Sequence, residues 1–443
     1  MLMNNNWRQK LHLEPVSGWL NDPNGLCFFG GYYHVYFQYS PDSPFGSGDK
    51  CWGHWQSPDL LHWSFTGIVL RPDIPEDRNG VYSGCALPAG DVLHLFYTGN
   101  VKEDGDYDYV SSGRAANVIT VSTRNGLDMS AKKVLLRNRD YPDYCSCHVR
   151  DPKVWRDGNT YRMVLGARTL SDNGCVLFYS SADLVHWKFD KVVSTNNLGY
   201  MWECPDYFTF GGNEYLSISP QGVPHEKFRF QNVYSSGYLF MNNDTYSEWD
   251  CGFDFYAPQT FVTPDNRRLL FGWMGIGDIP YSNPTAELGW QHCLTVPREI
   301  FPAPDGALRQ VPARELKKLR REEVPLVSGM TAELPFELCA RTSGDFSLRF
   351  GDYLSLSYSG SVFTMRFTDN NVGCGRDVRM AELRSCSDLQ IIADTSSVEV
   401  YLNSGEKVLS SRFYPCDSAV ILGFDGLCGS LFQLDGLEVK SHG

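Results

Sequence analysis

The sequence predicts an all-β chain, a five-bladed β-propeller followed by a C-terminal β-sandwich, on three observations. Three acidic residues, Asp22, Asp151 and Glu203, each open a strand-turn-strand unit of one kind. A comb of serine-to-tryptophan segments runs through roughly the first 300 residues. Beyond about residue 325 the texture changes to short alternating strands.

The first unit is Trp19-Leu20-Asn21-Asp22-Pro23-Asn24-Gly25, then Leu26-Cys27-Phe28-Phe29, the turn Gly30-Gly31, and Tyr32-Tyr33-His34-Val35-Tyr36-Phe37. The pattern returns after Arg150-Asp151-Pro152 with Asp157-Gly158 as its turn, and after Trp202-Glu203-Cys204-Pro205-Asp206 with Gly211-Gly212. Two copies lack a leading acid and turn at Ala89-Gly90-Asp91 and Pro264-Asp265-Asn266. Turn-forming dipeptides between β-rich runs are hairpin signals. If the units are blades of one radial fold, the three carboxyl groups meet at its axis.

In the comb, Ser57-Pro58-Asp59-Leu60-Leu61-His62-Trp63 recurs as Ser181-Ala182-Asp183-Leu184-Val185-His186-Trp187, and Trp249 follows Tyr246-Ser247-Glu248. The teeth fall on a lattice of about 62 residues, a blade-like period, with one tooth replaced near Ser122-Thr123-Arg124-Asn125-Gly126-Leu127. This sets a propeller catalytic domain at 1–305, a linker with a short helix at 306–328, and a sandwich at 329–443. The helix rests on the spacing of Leu316 and Leu319 within a basic, solvated segment, Lys317-Lys318-Leu319-Arg320-Arg321. Strands such as Phe346-Ser347-Leu348-Arg349-Phe350 and Ser397-Val398-Glu399-Val400-Tyr401-Leu402 suit a sandwich whose task is support or assembly. An exposed sandwich edge can support a homodimer.

With 443 residues, 42% hydrophobic and 21% charged, the chain is globular and too long for one core. A formal charge of −13 without a basic block argues against nucleic acid or an anionic membrane as partner. The start shows no basic segment followed by an apolar stretch, and no apolar run reaches the ~18 residues of a membrane helix, so neither signal peptide nor span is expected. Fourteen scattered cysteines then read as free thiols in a reducing, cytoplasmic compartment. Cys145-Ser146-Cys147 lacks the two intervening residues of zinc or redox pairs, and the histidines form no ligand-like cluster, so no metal or cofactor is expected.

Each acidic motif alone has a plain reading: Asp22-Pro23-Asn24-Gly25 as a turn, Arg150-Asp151 as a surface ion pair, Glu203 as a solvated strand end. Three at equivalent blade positions, beside Trp19, Trp52 and Trp202, point instead to a small carbohydrate, whose C–H faces pack on rings while hydroxyls take hydrogen bonds. Retaining cleavage of a glycoside needs two carboxyl groups about 5–5.5 Å apart and inverting cleavage roughly 6.5–9.5 Å, a gap that the sequence leaves open.

These motifs resemble those of glycoside hydrolase family 32, the invertases, fructan hydrolases and sucrose-6-phosphate hydrolases, whose patterns include Trp-Met-Asn-Asp-Pro-Asn-Gly, Arg-Asp-Pro and Glu-Cys-Pro. Further matches run in order: Phe37-Gln38-Tyr39, Trp52-Gly53-His54, Tyr82-Ser83-Gly84, Asp254-Phe255-Tyr256-Ala257-Pro258-Gln259, and Gly289-Trp290 before Pro297-Arg298-Glu299. The resemblance implies a retaining enzyme without cofactor that releases fructose from sucrose, sucrose 6-phosphate or short fructo-oligosaccharides through a covalent fructosyl-enzyme intermediate. It implies Asp22 as nucleophile, Glu203 as acid then base, and Asp151 as stabiliser of the cationic transition state, with Arg150 keeping Asp151 ionised and oriented. It further implies Asn21, Gln38, Trp52, Tyr82, Ser83 and Trp290 as lining of the fructose pocket. Leu20, Cys85, Val149, Trp55 and Gln56 depart from the common pattern and leave the leaving group, glucose, glucose 6-phosphate or fructose, open. Lys50 and His54 lie near these segments and read as solvated or structural residues. Two other readings compete: a related five-bladed glycosidase acting on arabinose or xylose glycans, and a catalytically silent sugar-binding propeller.

Overall fold

The computed structural model describes residues 7–441. Its sheets form a five-bladed β-propeller and a β-sandwich. Each blade is an antiparallel meander of four strands. Blade I comprises Gly18–Phe29, Tyr32–Ser40, Cys51–Ser57 and His62–Leu70; blade II, Val81–Ala89, Val92–Lys102, Arg114–Thr123 and Lys133–Leu136. Blade III comprises Cys145–Asp157, Thr160–Thr169, Gly174–Ser181 and Lys188–Val193; blade IV, Met201–Phe210, Asn213–Gln221, Gly237–Phe240 and Thr245–Glu248. Blade V uses Tyr256–Val262, Arg268–Met274, Arg298–Pro302 and Leu308–Pro312. The ring closes where Trp290–Gln291, following blade V's second strand, pairs in parallel with Gly18 and Trp19 of blade I.

Neighbouring blades share apolar cores. Phe96 and Val118 of blade II pack with Val154 and Met163 of blade III, and Val164 and Phe178 of blade III with Trp202 and Leu216 of blade IV. Contact is close enough that a methyl group on Gly166 of blade III would collide with the Trp202 carbonyl oxygen of blade IV.

One irregularity repeats in the innermost strand of every blade. The pairing register slips between Leu20 and Pro23, between Val81 and Gly84, across Asp151 and Pro152, between Glu203 and Asp206, and between Tyr256 and Gln259. A β-bulge leaves a residue unpaired and turns its neighbours' side chains, and proline, which has no N–H to give a ladder, is tolerated there. Pro152, Pro205 and Pro258 occupy these bulges. The three bulges place Asp151, Cys204 and Ala257 at φ of 61°, 47° and 48°.

The comb is a turn. Ser57 Oγ accepts from Leu60 N at 2.8 Å while Asp59 Oδ1 accepts from Leu61 N and His62 N, both at 3.0 Å. Ser181 and Asp183 do the same for Leu184, Val185 and His186. The replaced tooth keeps the geometry with other residues, since Thr123 Oγ1 accepts from Gly126 N and Asn125 Oδ1 from Leu127 N and Asp128 N. Each turn joins the third strand of a blade to the fourth.

The sandwich stacks two six-stranded antiparallel sheets around a core that includes Phe336, Leu348, Leu356, Ile391 and Val400. The segment read as a linker is largely structured: Leu308–Pro312 is blade V's outer strand and Arg320–Pro325 an edge strand of the sandwich. The reading missed the first because its inward residue Gln310 is polar, bonded to Arg298 and Trp249. Between them the helix is a 3-10 turn, Arg314–Leu319, that buries Leu316 and Leu319.

Propeller and sandwich meet through buried charge. Arg298 of blade V donates to Glu399 (2.9 and 2.6 Å), to Asp250 (3.1 Å) and to Ser410 (2.6 Å), and Arg376 forks onto Asp254 (2.9 and 2.8 Å). His12, from the segment before blade I, lies between Asp394 at 2.8 Å and Glu399 at 3.0 Å. The strand Glu438–Ser441 returns from the sandwich to pair in parallel with His62–Phe65, the outer strand of blade I.

Candidate active site

The bulges converge on a cavity of about 460 Å³ at one end of the propeller axis. It is lined by Asn21, Asp22, Gln38, Tyr82, Ser83, Arg150, Asp151 and Glu203, eight residues singled out in the sequence, and by Trp19, Phe45, Lys50, Arg114, Gln221, Tyr234, Tyr256, Trp273 and Asp278.

The first bulge aims Asp22 inward, where Ser83 Oγ donates to its Oδ2 at 2.5 Å and Asn21 Nδ2 to its Oδ1 at 3.2 Å. Asp151 Oδ2 accepts from the Cys204 backbone N at 2.9 Å, and the Asp151 N–H itself is spent on Thr98 Oγ1 at 2.9 Å. The Cys204 thiol lies between the two aspartates, 3.6 Å from Asp22 Oδ2 and 3.7 Å from Asp151 Oδ2. Glu203 is held on both oxygens. Arg150 Nε and Nη2 donate to Oε1 at 3.0 and 2.6 Å, and Gln221 Nε2 and the Tyr256 hydroxyl to Oε2 at 2.8 and 2.6 Å.

Three carboxyl groups thus share one cavity, and Arg150 is in contact with Glu203 and, at 4.0 Å, with Asp151. Burial pushes the Asp22 carboxyl up, against the hydrogen bonds of Ser83 and Asn21, and the neighbouring Glu203 adds to the rise. Asp151 is raised by burial too, with Arg150 opposing and Glu203 and Asp22 adding. A sugar whose anomeric carbon turns cationic would meet this crowded negative charge as attraction in the transition state.

One wall is aromatic: the His292 ring stands edge-on to Trp19 at 4.4 Å and to Trp273 at 5.0 Å. At the mouth Phe45 is 66% exposed, and the Tyr234 hydroxyl donates to Asp278 at 2.5 Å.

A family model for the glycosyl hydrolases family 32 N-terminal domain matches residues 12–312, and one for the family's C-terminal domain matches residues 317–424. This chain belongs to glycosyl hydrolase family 32. Family 32 relatives of this chain include the sucrose-6-phosphate hydrolase of Bacillus subtilis (strain 168), 36% identical over 92% of this chain and 89% of that protein. The raffinose invertase of Escherichia coli is 35% identical over 98% and 94%. Among solved structures, the sucrose-6-phosphate hydrolase of Lactobacillus gasseri superposes with a TM-score of 0.87 at 27% identity, covering 98% of this chain and 94% of that one. A Bombyx mori family 32 β-fructofuranosidase mutant in complex with sucrose gives 0.84 at 27% identity, covering 98% and 95%.

Two residues that the family 32 resemblance places in the pocket lie outside it. Trp52 is fully buried between blades I and II, near Tyr36 and Tyr97, with its Nε1 donating to the Tyr82 carbonyl at 3.1 Å. Trp290 is 2% exposed, covered by the Arg8 guanidinium at 3.6 Å and bonded to Glu14 at 3.2 Å. Both are large apolar rings on closely packed strands, where burial decides their place. Arg150 pairs with Asp151 across 4.0 Å and opposes the rise that burial gives its carboxyl, as expected, while its two shorter bonds fork onto Glu203. His54 is buried against His34 and Thr66, whereas Lys50 lines the cavity wall. Of the residues that sequence reasoning missed, Tyr256 lies in a quoted motif and Trp273 on the strand that follows the Pro264-Asp265-Asn266 turn. Gln221 and Arg114 carry no sequence signal, because they reach the cavity only through strand register.

Proposed function

We propose that this family 32 chain releases fructose from β-fructofuranosides with retention. Asp22 attacks the anomeric carbon and forms a fructosyl ester while Glu203 gives a proton to the departing oxygen. Glu203 then takes a proton from the water that cleaves the ester, freeing fructose and restoring Asp22. Asp151, anchored by the Cys204 N–H, faces the cationic transition state and the fructose hydroxyls. Asn21, Gln38, Tyr82 and Ser83 complete the fructose side. The observation that carries the reading is the meeting of Asp22, Asp151 and Glu203 in one cavity, joined through Cys204 and Arg150.

The surroundings of Glu203 suit both of its roles. Arg150 fixes Oε1, whereas Tyr256 at Oε2 can turn its hydroxyl from donor to acceptor, so that Oε2 can hold and release the proton.

Sucrose 6-phosphate is the first substrate to try, with sucrose and a short inulin-type oligosaccharide beside it. That all fourteen cysteines are unpaired supports a reducing, cytoplasmic setting. The division into a catalytic propeller and a supporting sandwich, and a homodimer through an uncovered sandwich edge such as Met330–Glu333, belong to the same proposal.

The test is fructose release from the three sugars, compared as kcat/KM, with Asp22→Asn as blank. Turnover by the wild type and none by the variant is the expected result. Silence of the wild type on all three would overturn the reading in favour of the arabinose-type glycans or a sugar-binding module.

A further inference from the structure

We infer that His148 is a positioning residue for proton transfer: its Nδ1 holds the Arg150 guanidinium to one oxygen of Glu203 and so keeps the other oxygen free to carry the proton. The inference rests on the fructosidase reading and adds to it a residue that does not line the cavity.

Arg150 grips Glu203 by one oxygen only. Its Nε and Nη2 both donate to Oε1, at 3.0 and 2.6 Å, whereas a guanidinium beside a carboxylate often forks onto both oxygens. Oε2 is left to neutral donors, Gln221 Nε2 at 2.8 Å and the Tyr256 hydroxyl at 2.6 Å. The difference matters to an acid. A fork across both oxygens would occupy Oε2 with a charged donor and hold Glu203 as the carboxylate.

His148 stands where it can prevent that slide. Its Nδ1 lies 2.8 Å from Arg150 Nη1, the nitrogen outside the fork, and among the described residues it is the one side chain besides Glu203 hydrogen-bonded to this guanidinium. Arginine has no acceptor, so Nδ1 presents its lone pair and the ring proton sits on Nε2. The guanidinium is thus held at two ends and cannot shift toward Oε2 without loosening its bond to His148. A carboxylate in this place would compete with Glu203 for the cation; a neutral imidazole accepts without competing charge.

The ring is itself held in that state and place. Burial lowers its proton affinity, and the flanking Arg150 and Arg114 lower it further, to about 3, against a hydrogen bond to the Tyr109 backbone. Nδ1 therefore keeps its lone pair wherever a carboxylic acid can serve as catalyst. Arg114 is the second cation, with Nη1 3.5 Å from the same Nδ1 and Nε tied to Asn100 Oδ1 at 2.9 Å. Beneath the ring, His148 N donates to Ser146 Oγ at 3.1 Å and Cys147 N to the Val110 carbonyl at 2.7 Å. Tyr109 and Val110 belong to the connection 103–113 of blade II, so this loop and the inner strand of blade III together orient the imidazole.

The experiment compares two leaving groups. The sugar that the wild type cleaves best needs a proton on its departing oxygen, whereas a nitrophenyl β-fructofuranoside releases a phenolate that leaves without one. We would measure kcat/KM for both on the wild type, on His148→Leu and on His148→Asn, whose amide oxygen can stand where Nδ1 stood. The sugar-to-nitrophenyl ratio should drop roughly 10- to 100-fold in His148→Leu and recover in part in His148→Asn. A merely structural role would lower both substrates together, so an unchanged ratio in His148→Leu overturns the inference, as does a His148→Asn ratio no better than that of His148→Leu. Should His148→Leu fail to fold, His148→Gln, whose amide falls at the place of Nε2, takes its part in the comparison with His148→Asn. Failure of the underlying reading looks different: a wild type that releases neither fructose from the sugars nor nitrophenol has no acid to position, and the inference falls with the reading.

Discussion

Asp22 and Asp151 are held where folding would rather not ionise them. Their raised affinity for protons means that their contribution to stability is fully present below the ordinary aspartate range and is lost as pH rises through the folded-state value. Asp151→Asn should therefore melt higher than the wild type, and by more at pH 8 than at pH 5; release of about 1 kcal/mol would shift Tm by roughly 1 °C in a chain of 443 residues, read by differential scanning calorimetry. The same variant should lose activity roughly hundredfold or more, because the charge that crowds the folded state is the charge that meets the transition state. Asp22→Asn should show no measurable turnover, and a wild-type rate would remove it as nucleophile. At this scale the three acids were legible because each sits beside a residue with a fixed backbone task, Pro23, Pro152 or Cys204-Pro205. Trp52 and Trp290, assigned to the pocket by the resemblance alone, are absent from its lining for a physical reason: a ring can point to either face of its strand, and only the register settles which.

The repeated bulge is the element that turns five unlike strands into one site. Its cost is visible at Ala257, buried at φ 48° in blade V, where a residue with a Cβ is strained. Ala257→Gly is expected to be neutral or to stabilise by up to about 1 kcal/mol, whereas Ala257→Val, branched in the same conformation, should destabilise by about 2 kcal/mol or more in urea unfolding. Equal effects of the two would mean that the bulge is not strained. Pro152, Pro205 and Pro258 mark the bulges of blades III to V in the sequence, since proline has no place in the middle of an inner strand otherwise, yet the sequence reading drew no bulge from them. The bulge of blade II, at Tyr82 and Ser83, has no proline to mark it, and its comb turn, legible only as a replaced tooth, has Thr123, Asn125 and Gly126 where the others have serine, aspartate and leucine, while making the same bonds. Leu60 and Leu184 take φ of 69° and 64° where blade II has Gly126 at 80°, so two turns accept strain in exchange for a buried leucine.

At the scale of the molecule, propeller and sandwich are joined through fully buried ions beside an apolar cluster in which Leu61 and Val296 meet Ile392 and Val408. Burial alone would lower the His12 imidazole, but its bonds to Asp394 and Glu399 raise it to about 9. The stabilisation is then complete below its ordinary value near 6.5 and lost as pH rises toward about 9. The wild type should lose Tm between pH 7 and 9, and His12→Gln should flatten that fall; an unchanged slope would show that another group sets it. Glu399→Gln, which leaves Arg298 short of its partner, should cost about 3–5 kcal/mol in unfolding free energy. Asp254 grips Arg376 of the sandwich two residues before Tyr256 touches Glu203, so loosening the junction should also lower kcat. The return of Glu438–Ser441 to blade I carries a further meaning for how such a chain comes into being. A ribosome delivers the first blade early, yet one flank of it waits for Trp290–Gln291 and the other for residues made after the whole sandwich. For most of its synthesis the nascent chain exposes two bare strand edges, and protection by chaperones, or fast translation of the last third, becomes a condition of reaching the native ring.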